Sequence, residues 1–289
     1  MRYPKRVRWL DGRYANVDGI PFRMPIRTRT SPALFAAFTI DGDKAEAFLP
    51  GDELHAWRFR GRGILVLAVV NYQDTTIGRY VEFCIGVLAT RGRAPVGALR
   101  SALFRSHHGT GIYIYDLPVS SEISVKGGLG IWGMPKRHAS LDFVVGDKKV
   151  SSQYDLDGKL VARIDIPRPG VAWFPARMKG VGWGADFRGL LTKSYIYSGG
   201  RMGFHVRPKA ARLVLGDHPR ALPLRELGVD QRAIFTGFMP MMDGVLDDHV
   251  ESWYLTSAQP PPVAEVGLAD VVDLTLSEKW LEPPARTDP

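Results

Sequence analysis

Apolar residues recur at every second position along much of the chain, and this alternation predicts strands. In Tyr80–Leu88 (YVEFCIGVL), Val81, Phe83, Ile85 and Val87 fall on one face, while Tyr80, Glu82, Cys84 and Gly86 fall on the other. Ile64–Val70 (ILVLAVV) is a continuous apolar run, the pattern of a strand buried on both faces. Ile112–Tyr115, Ser140–Val145, Leu160–Ile166, Ser194–Tyr197, Arg212–Leu215 and Trp253–Leu255 are further strand candidates, rich in β-branched and aromatic residues. Asp157-Gly158 between two such runs signals a hairpin, because glycine accepts positive φ cheaply. Helical patterns are few: Asp43–Leu49, stopped by Pro50, and Val96–Phe104. The expected fold is mainly β (α+β), a single domain on a closed antiparallel β-barrel with a few short helices. Closure would leave no exposed strand edge. The expected boundaries are a basic arm over 1–30, the barrel domain over 31–275 and an irregular proline-rich tail over 276–289.

With 289 residues, 45% of them apolar, the chain can bury a sizeable core. Its one cysteine, Cys84, rules out an internal disulfide and suits a reduced, cytoplasmic setting. The basic N-terminus lacks the apolar stretch of a signal peptide, and no apolar run approaches the ~20 residues of a membrane span. A soluble protein with no membrane partner is therefore expected. Net charge is +8, and residues 1–29 hold eight basic residues against Asp11 and Asp18. No zinc-finger spacing or recognition-helix pair accompanies this arm, so packing against another subunit is expected before nucleic-acid binding.

Gly128, Gly130 and Gly133 spell G-x-G-x-x-G, but a dinucleotide site needs that motif to open a helix. Here Pro135 follows, then His138–Val145, which reads as a strand. The glycines are better explained by sharp bends or close backbone approach. The seven histidines are scattered without metal-ligand spacing, so no metal and no organic cofactor are expected. Asp247-Asp248-His249-x-Glu251 reads as a solvated charge cluster. Cys84 reads as a small buried filler, with no histidine near it in sequence to activate it.

Lys136 stands in a different setting. An ordinary lysine, with a pKa of ~10.4, is protonated at neutral pH and cannot attack a carbonyl. Bringing that value near 7 requires destabilising the ammonium by about 4–5 kcal/mol. Apolar burial and a neighbouring cation both act in that direction. Ile131, Trp132 and Met134 precede Lys136 and Arg137 follows it, while Pro135 stiffens the approach. From the local residues alone, a solvated Lys-Arg surface pair is the reading to expect first.

The stretch Ile131-Trp132-Gly133-Met134-Pro135-Lys136-Arg137 resembles the active-site signature of the acetoacetate decarboxylase family: a glycine, an aromatic residue, proline and two lysines. Gly78-Arg79-Tyr80-Val81-Glu82 resembles the family's strand that carries an acidic residue after a tyrosine. Tyr113-x-Tyr115-Asp116 lies between them at a fitting distance, and the likeness runs from about Phe35 to Phe143. It implies the barrel fold, Lys136 as the imine-forming residue, Glu82 as the pocket carboxylate and Arg137 in place of the second lysine. The chain departs from the pattern where Leu129 and Gly130 replace an Arg-Glu pair, and where Met134 replaces the aromatic residue before proline. The arginine that binds the substrate carboxylate in the family falls near Ser31, with Arg27 and Arg29 close in sequence.

What the resemblance implies is a cofactor-independent carbon–carbon lyase, and a homo-oligomer. Lys136 would condense with a small oxo acid, the iminium would draw electrons as a β-carboxylate leaves as carbon dioxide, and Glu82 would orient substrate or relay protons. Arg137 would disfavour charge on Lys136 or bind a carboxylate. The same iminium serves an aldolase or a dehydratase, and a non-catalytic binding protein could keep the barrel and its pocket.

Overall fold

The computed structural model describes residues 4–170, 174–187 and 189–256; the expected tail over 276–289 and the last part of the expected barrel domain lie outside them. Seven strands close a barrel: β1 (Arg27–Asp41), β2 (Arg62–Tyr72), β3 (Tyr80–Arg91), β4 (Gly111–Val119), β5 (Phe174–Phe187), β6 (Leu190–Val206) and β7 (Ala233–Tyr254). Around the ring the order is β3-β2-β1-β7-β6-β5-β4, and β4 returns to pair with β3. The expected barrel is thus present, with one correction: it is mixed. Six seams are antiparallel, whereas β4 and β5 run parallel, Ile112 opposite Gly182 and Tyr113 opposite Trp183.

The alternation read from Tyr80–Leu88 has a simple spatial meaning. Phe83, Ile85 and Val87 point out of the barrel into the main core, which a smaller antiparallel sheet covers from outside. That sheet consists of Lys149–Leu156, Lys159–Pro167 and Arg212–Leu215, with Ser140–Leu141 and Val144–Val145 along one edge. Phe83 meets Tyr154 of this layer at 6.1 Å between ring centroids. Tyr80, Glu82 and Cys84 therefore face the lumen. In β2, Leu65, Leu67 and Val69 are fully buried on the core side, but Ile64, Val66 and Ala68 are only half-buried, so the both-faces reading holds on one face. Asp157 and Gly158 take φ values of +50° and +73° and close the hairpin between Leu156 and Lys159, as their types predict.

The basic arm folds onto its own barrel. The helix Lys5–Trp9 buries Val7 beside Tyr197 and Val245, and Arg6 forms an ion pair with Asp247 of β7. The solvated reading of the Asp247 cluster is corrected here, because Asp247 is fully buried and its carbonyl oxygen accepts a 2.6 Å hydrogen bond from Trp132 Nε1.

The largest departure from the expected elements is a helix over Glu122–Trp132, where the glycine-rich sequence carries little helical signal. It follows β4, and the expected strand over Ser140–Val145 is broken into short pieces beyond it. Gly127 is needed because a side chain there would strike Phe22 of the N-terminal hairpin, in which Tyr14–Val17 pairs with Ile20–Arg23. Gly133 ends the helix in the left-handed region at φ +64°, with its N–H donated to Leu129 O and the Met134 N–H to Gly128 O. The G-x-G-x-x-G pattern thus closes a helix rather than opening one.

Candidate active site

Immediately after that capped turn, Lys136–His138 forms a short strand parallel to the end of β4, with Leu117 opposite Lys136 and Pro118 opposite Arg137. Which way β4 faces here is set by a bulge. Ile85 of β3 pairs with Asp116, but Gly86 pairs with Ile114, leaving Tyr115 as an extra residue. Tyr115 and Asp116, though adjacent in sequence, consequently both turn outward and both reach Arg220. Leu117 turns back to the lumen side, and Lys136 beside it does the same.

Lys136 is 8% exposed, and its ammonium lies 2.7 Å from Glu82 Oε2 and donates to Ser124 Oγ at 2.9 Å. Tyr72 donates to the other Glu82 oxygen at 3.3 Å, and the Tyr80 ring centroid is 5.4 Å from Lys136 Nζ. Tyr72 and Tyr80 stand opposite each other in register, their rings 4.5 Å apart. The lysine stem runs against the helix at Gly128, where a Cβ would overlap the Lys136 Cδ. The glycine thus makes room for the amine to lie flat beneath the helix and reach Glu82.

The electrostatics correct one expectation. Burial does oppose charge on Lys136, but the Glu82 carboxylate and the Tyr80 phenol outweigh it, and the pKa is raised above the ordinary lysine value. The resting amine is an ammonium locked to a carboxylate. Burial and Glu82 push the Tyr72 phenol well up. Burial also raises Tyr80 to about 12, although Lys136 pulls the other way. The Cys84 thiol is pushed up as well, by burial and then by Glu82, so it stays protonated and is no nucleophile.

Of the residues singled out from the sequence, Lys136 and Glu82 meet, and Arg137 does not join them. Its guanidinium turns to the outer face, where Nε donates to Asp116 Oδ1 at 2.6 Å. Asp116 is fully buried and also receives Arg220 Nε at 2.9 Å and the Tyr154 hydroxyl at 3.0 Å. Arg137 therefore anchors the lysine's strand to the smaller sheet and does not press on the Lys136 charge. Ser31, fully buried, bonds to Thr28 and to the Arg29 carbonyl, while Arg27 pairs with Asp11. Sequence reasoning did not assign roles to Tyr72, Tyr80 or Ser124. Tyr80 shared a predicted face with Glu82, but the other two depend on register and on an unforeseen helix. Among the described residues no three His, Cys, Asp or Glu side chains converge as a metal site, and no helix is long and apolar enough to cross a membrane.

A buried amine, a carboxylate in contact with it and a hydroxyl on its other side can exchange protons within one cluster and present a nucleophile to a carbonyl. Comparison with known proteins gives the family and the fold. The family profile described as acetoacetate decarboxylase matches residues 14–184. No curated protein matches the sequence significantly. Among solved structures, the acetoacetate decarboxylase of Legionella pneumophila is similar with a TM-score of 0.55 at 17% identity, over 79% of this chain and 87% of that one. The enduracididine biosynthesis enzyme MppR complexed with pyruvate gives 0.53 at 14% identity, over 79% and 90%. An acetoacetate decarboxylase-like enzyme from Sphingomonas wittichii gives 0.51 at 13% identity, over 80% and 93%.

Proposed function

This chain belongs to the acetoacetate decarboxylase family, and from that premise we propose that it is a lysine Schiff-base lyase acting on a small β-keto acid. The observation that carries the reading is the 2.7 Å contact between buried Lys136 Nζ and Glu82 Oε2. Glu82 takes a proton from the ammonium, and the free amine adds to the substrate carbonyl. The carbinolamine oxygen then accepts a proton, with Glu82 as donor, and leaves as water, giving the iminium. The electron pair of the carbon–carboxylate bond moves into that iminium as carbon dioxide departs. The enamine that remains is protonated at carbon, and hydrolysis of the new iminium frees the ketone and the lysine. Ser124 holds the amine in line between these steps, and the two tyrosines, kept protonated, donate to the carboxylate or the substrate oxygen.

A second reading, an aldolase or dehydratase on a 2-oxo acid, is favoured by the likeness to MppR, whose structures hold pyruvate and its condensation product with imidazole 4-carboxaldehyde.

Reductive trapping tests both. Incubation with acetoacetate or pyruvate and cyanoborohydride should give a covalent adduct by intact mass, and Lys136→Ala should give none. Wild-type protein that forms no adduct with any of a panel of oxo acids would leave a non-catalytic binding protein. Carbon dioxide release distinguishes the lyase from the aldolase.

Gly128→Ala separates site geometry from stability. Alanine gains about 1 kcal/mol of helix propensity over glycine, while its methyl overlaps the lysine stem and displaces the amine from Glu82. The expected outcome is trapping slowed at least about tenfold, one pK unit's worth of free energy, with circular dichroism showing a folded protein, the helix gain being offset by the loosened Lys136–Glu82 pair. An unchanged trapping rate would show that the amine does not depend on this seat.

A further inference from the structure

On the barrel's outer face, away from Lys136, β5 and β6 share a cavity with the segment leading into β4. Its volume is about 210 Å³, and its lining includes Arg105, Thr110, Lys179, Val181, Lys193 and Tyr195. The outward orientation follows from register. Lys193 pairs with Trp183, which pairs with Tyr113, and Tyr113 packs against Phe48 of the helix Gly42–Phe48 outside the barrel.

Three cations converge on this cavity, and one carboxylate answers them. Lys193 donates to Glu251 at 3.0 Å, and the Tyr195 hydroxyl closes on the same carboxylate. Lys193, only 12% exposed at its side chain, is thereby neutralised where it is least hydrated. Burial opposes its charge, yet the Tyr195 and Glu251 hydrogen bonds raise its pKa, so it stays cationic. Lys179 and Arg105 have no carboxylate partner among the described residues. Moreover, Lys179 Nζ and Lys193 Nζ stand 4.8 and 4.9 Å from the centroid of the same Tyr195 ring. Two ammonium groups sharing one aromatic ring repel each other, and the surplus charge over Glu251 is two positive units from Arg105 and Lys179. An anion seated between them would turn that repulsion into attraction.

We propose that this cavity is a binding site for a small dianion, a phosphate monoester or a short dicarboxylate. The volume is below the ~300 Å³ at which pockets for larger organic ligands begin, which suits a compact ligand. The Thr110 hydroxyl donates its one hydrogen to the Ser101 carbonyl at 2.9 Å and so has none left to offer an anion. Recognition therefore rests on the charged groups: the Arg105 fork offers paired donors to two oxygens, and the lysines supply point charges.

The test is calorimetric titration of the full-length chain with inorganic phosphate and, separately, with succinate, at constant ionic strength set by sodium chloride. The expected result is saturable binding at one site per chain, weakened at least tenfold in Lys179→Met and in Arg105→Met. Both residues are exposed, so these variants should fold normally, and circular dichroism checks that. Lys148→Met, in the bend before the smaller sheet's strand Lys149–Leu156 and outside the cavity lining, should bind as the parent does, and so should Lys136→Ala. Preference for phosphate over succinate assigns the site to phosphate esters, and the reverse to dicarboxylates. No saturable heat, an equal loss in Lys148→Met, or loss in Lys136→Ala would each overturn the proposal.

Discussion

Glu82→Gln is expected to lower the pKa of Lys136 from above its ordinary value to below it. In the parent, the carboxylate and Tyr80 overcome the burial that would otherwise discharge the amine. Glutamine keeps the shape and removes the charge, so burial, the largest influence on this amine, is opposed only by the weaker effect of Tyr80, and buried lysines can have pKa values as low as ~5–6. The pH profile of cyanoborohydride trapping should shift downward by at least about two units, at ~1.36 kcal/mol per unit. Turnover should fall by about 10²–10⁴-fold, the share usually carried by a general acid–base group. The stability consequence has opposite signs in the two proteins. With its pKa raised in the native state, Lys136 stabilises the parent fully below ~10.4, and the contribution is lost as pH climbs through the higher native value. In the variant the native pKa lies below the unfolded one, so the variant is destabilised at neutral pH and recovers as the solution becomes alkaline. A trapping profile that does not move would mean that Glu82 does not set the charge of this lysine.

The second large effect is on the fold. Asp116→Asn removes the only carboxylate among the contacts that tie Arg137, Arg220 and Tyr154 together, and it does so at a fully buried position. Breaking one side of a buried ion pair costs about 3–5 kcal/mol. Here the lower end applies, since the Arg137 and Arg220 side chains are 28% and 26% exposed and regain some water. At about 2–4 °C per kcal/mol for a chain of this size, the melting temperature should drop by ~6–12 °C. Arg137→Met should cost less than half of that, because Arg220 still neutralises the carboxylate. A drop below about 2 °C for Asp116→Asn would show that the cluster adds little.

Much of this was legible in the sequence, for reasons that differ by residue. The barrel showed in the two-residue period of Tyr80–Leu88, which also placed Tyr80, Glu82 and Cys84 on a common side. The seat of Lys136 was legible only through the short motif around it. What stayed hidden has a common cause, because each missed feature depends on partners distant in the chain. The helix Glu122–Trp132 has three internal glycines that local propensity counts against it; two meet Phe22 and the Lys136 stem, and neither contact is local. Arg137 looked like a neighbour of the Lys136 charge because adjacency in sequence suggests adjacency in space. In a strand, consecutive side chains point to opposite faces, and Arg137 follows that rule into Asp116. The raised pKa of Lys136 likewise depends on how close Glu82 comes, a distance that no spacing along the chain reveals.

The parallel seam between β4 and β5 has a geometric necessity behind it. Going once round a closed ring, chain direction must return to where it started, so reversals can occur only an even number of times. With an odd number of staves, at least one adjoining pair has to point the same way. Such a pair cannot be joined by a tight turn, and the polypeptide must travel from the finish of one stave back to the start of its neighbour. In this protein the described part of that obligatory detour, residues 120–170, carries the amine, the serine beside it and most of the outer sheet. The chemistry is housed in the excursion that parity forces on the ring.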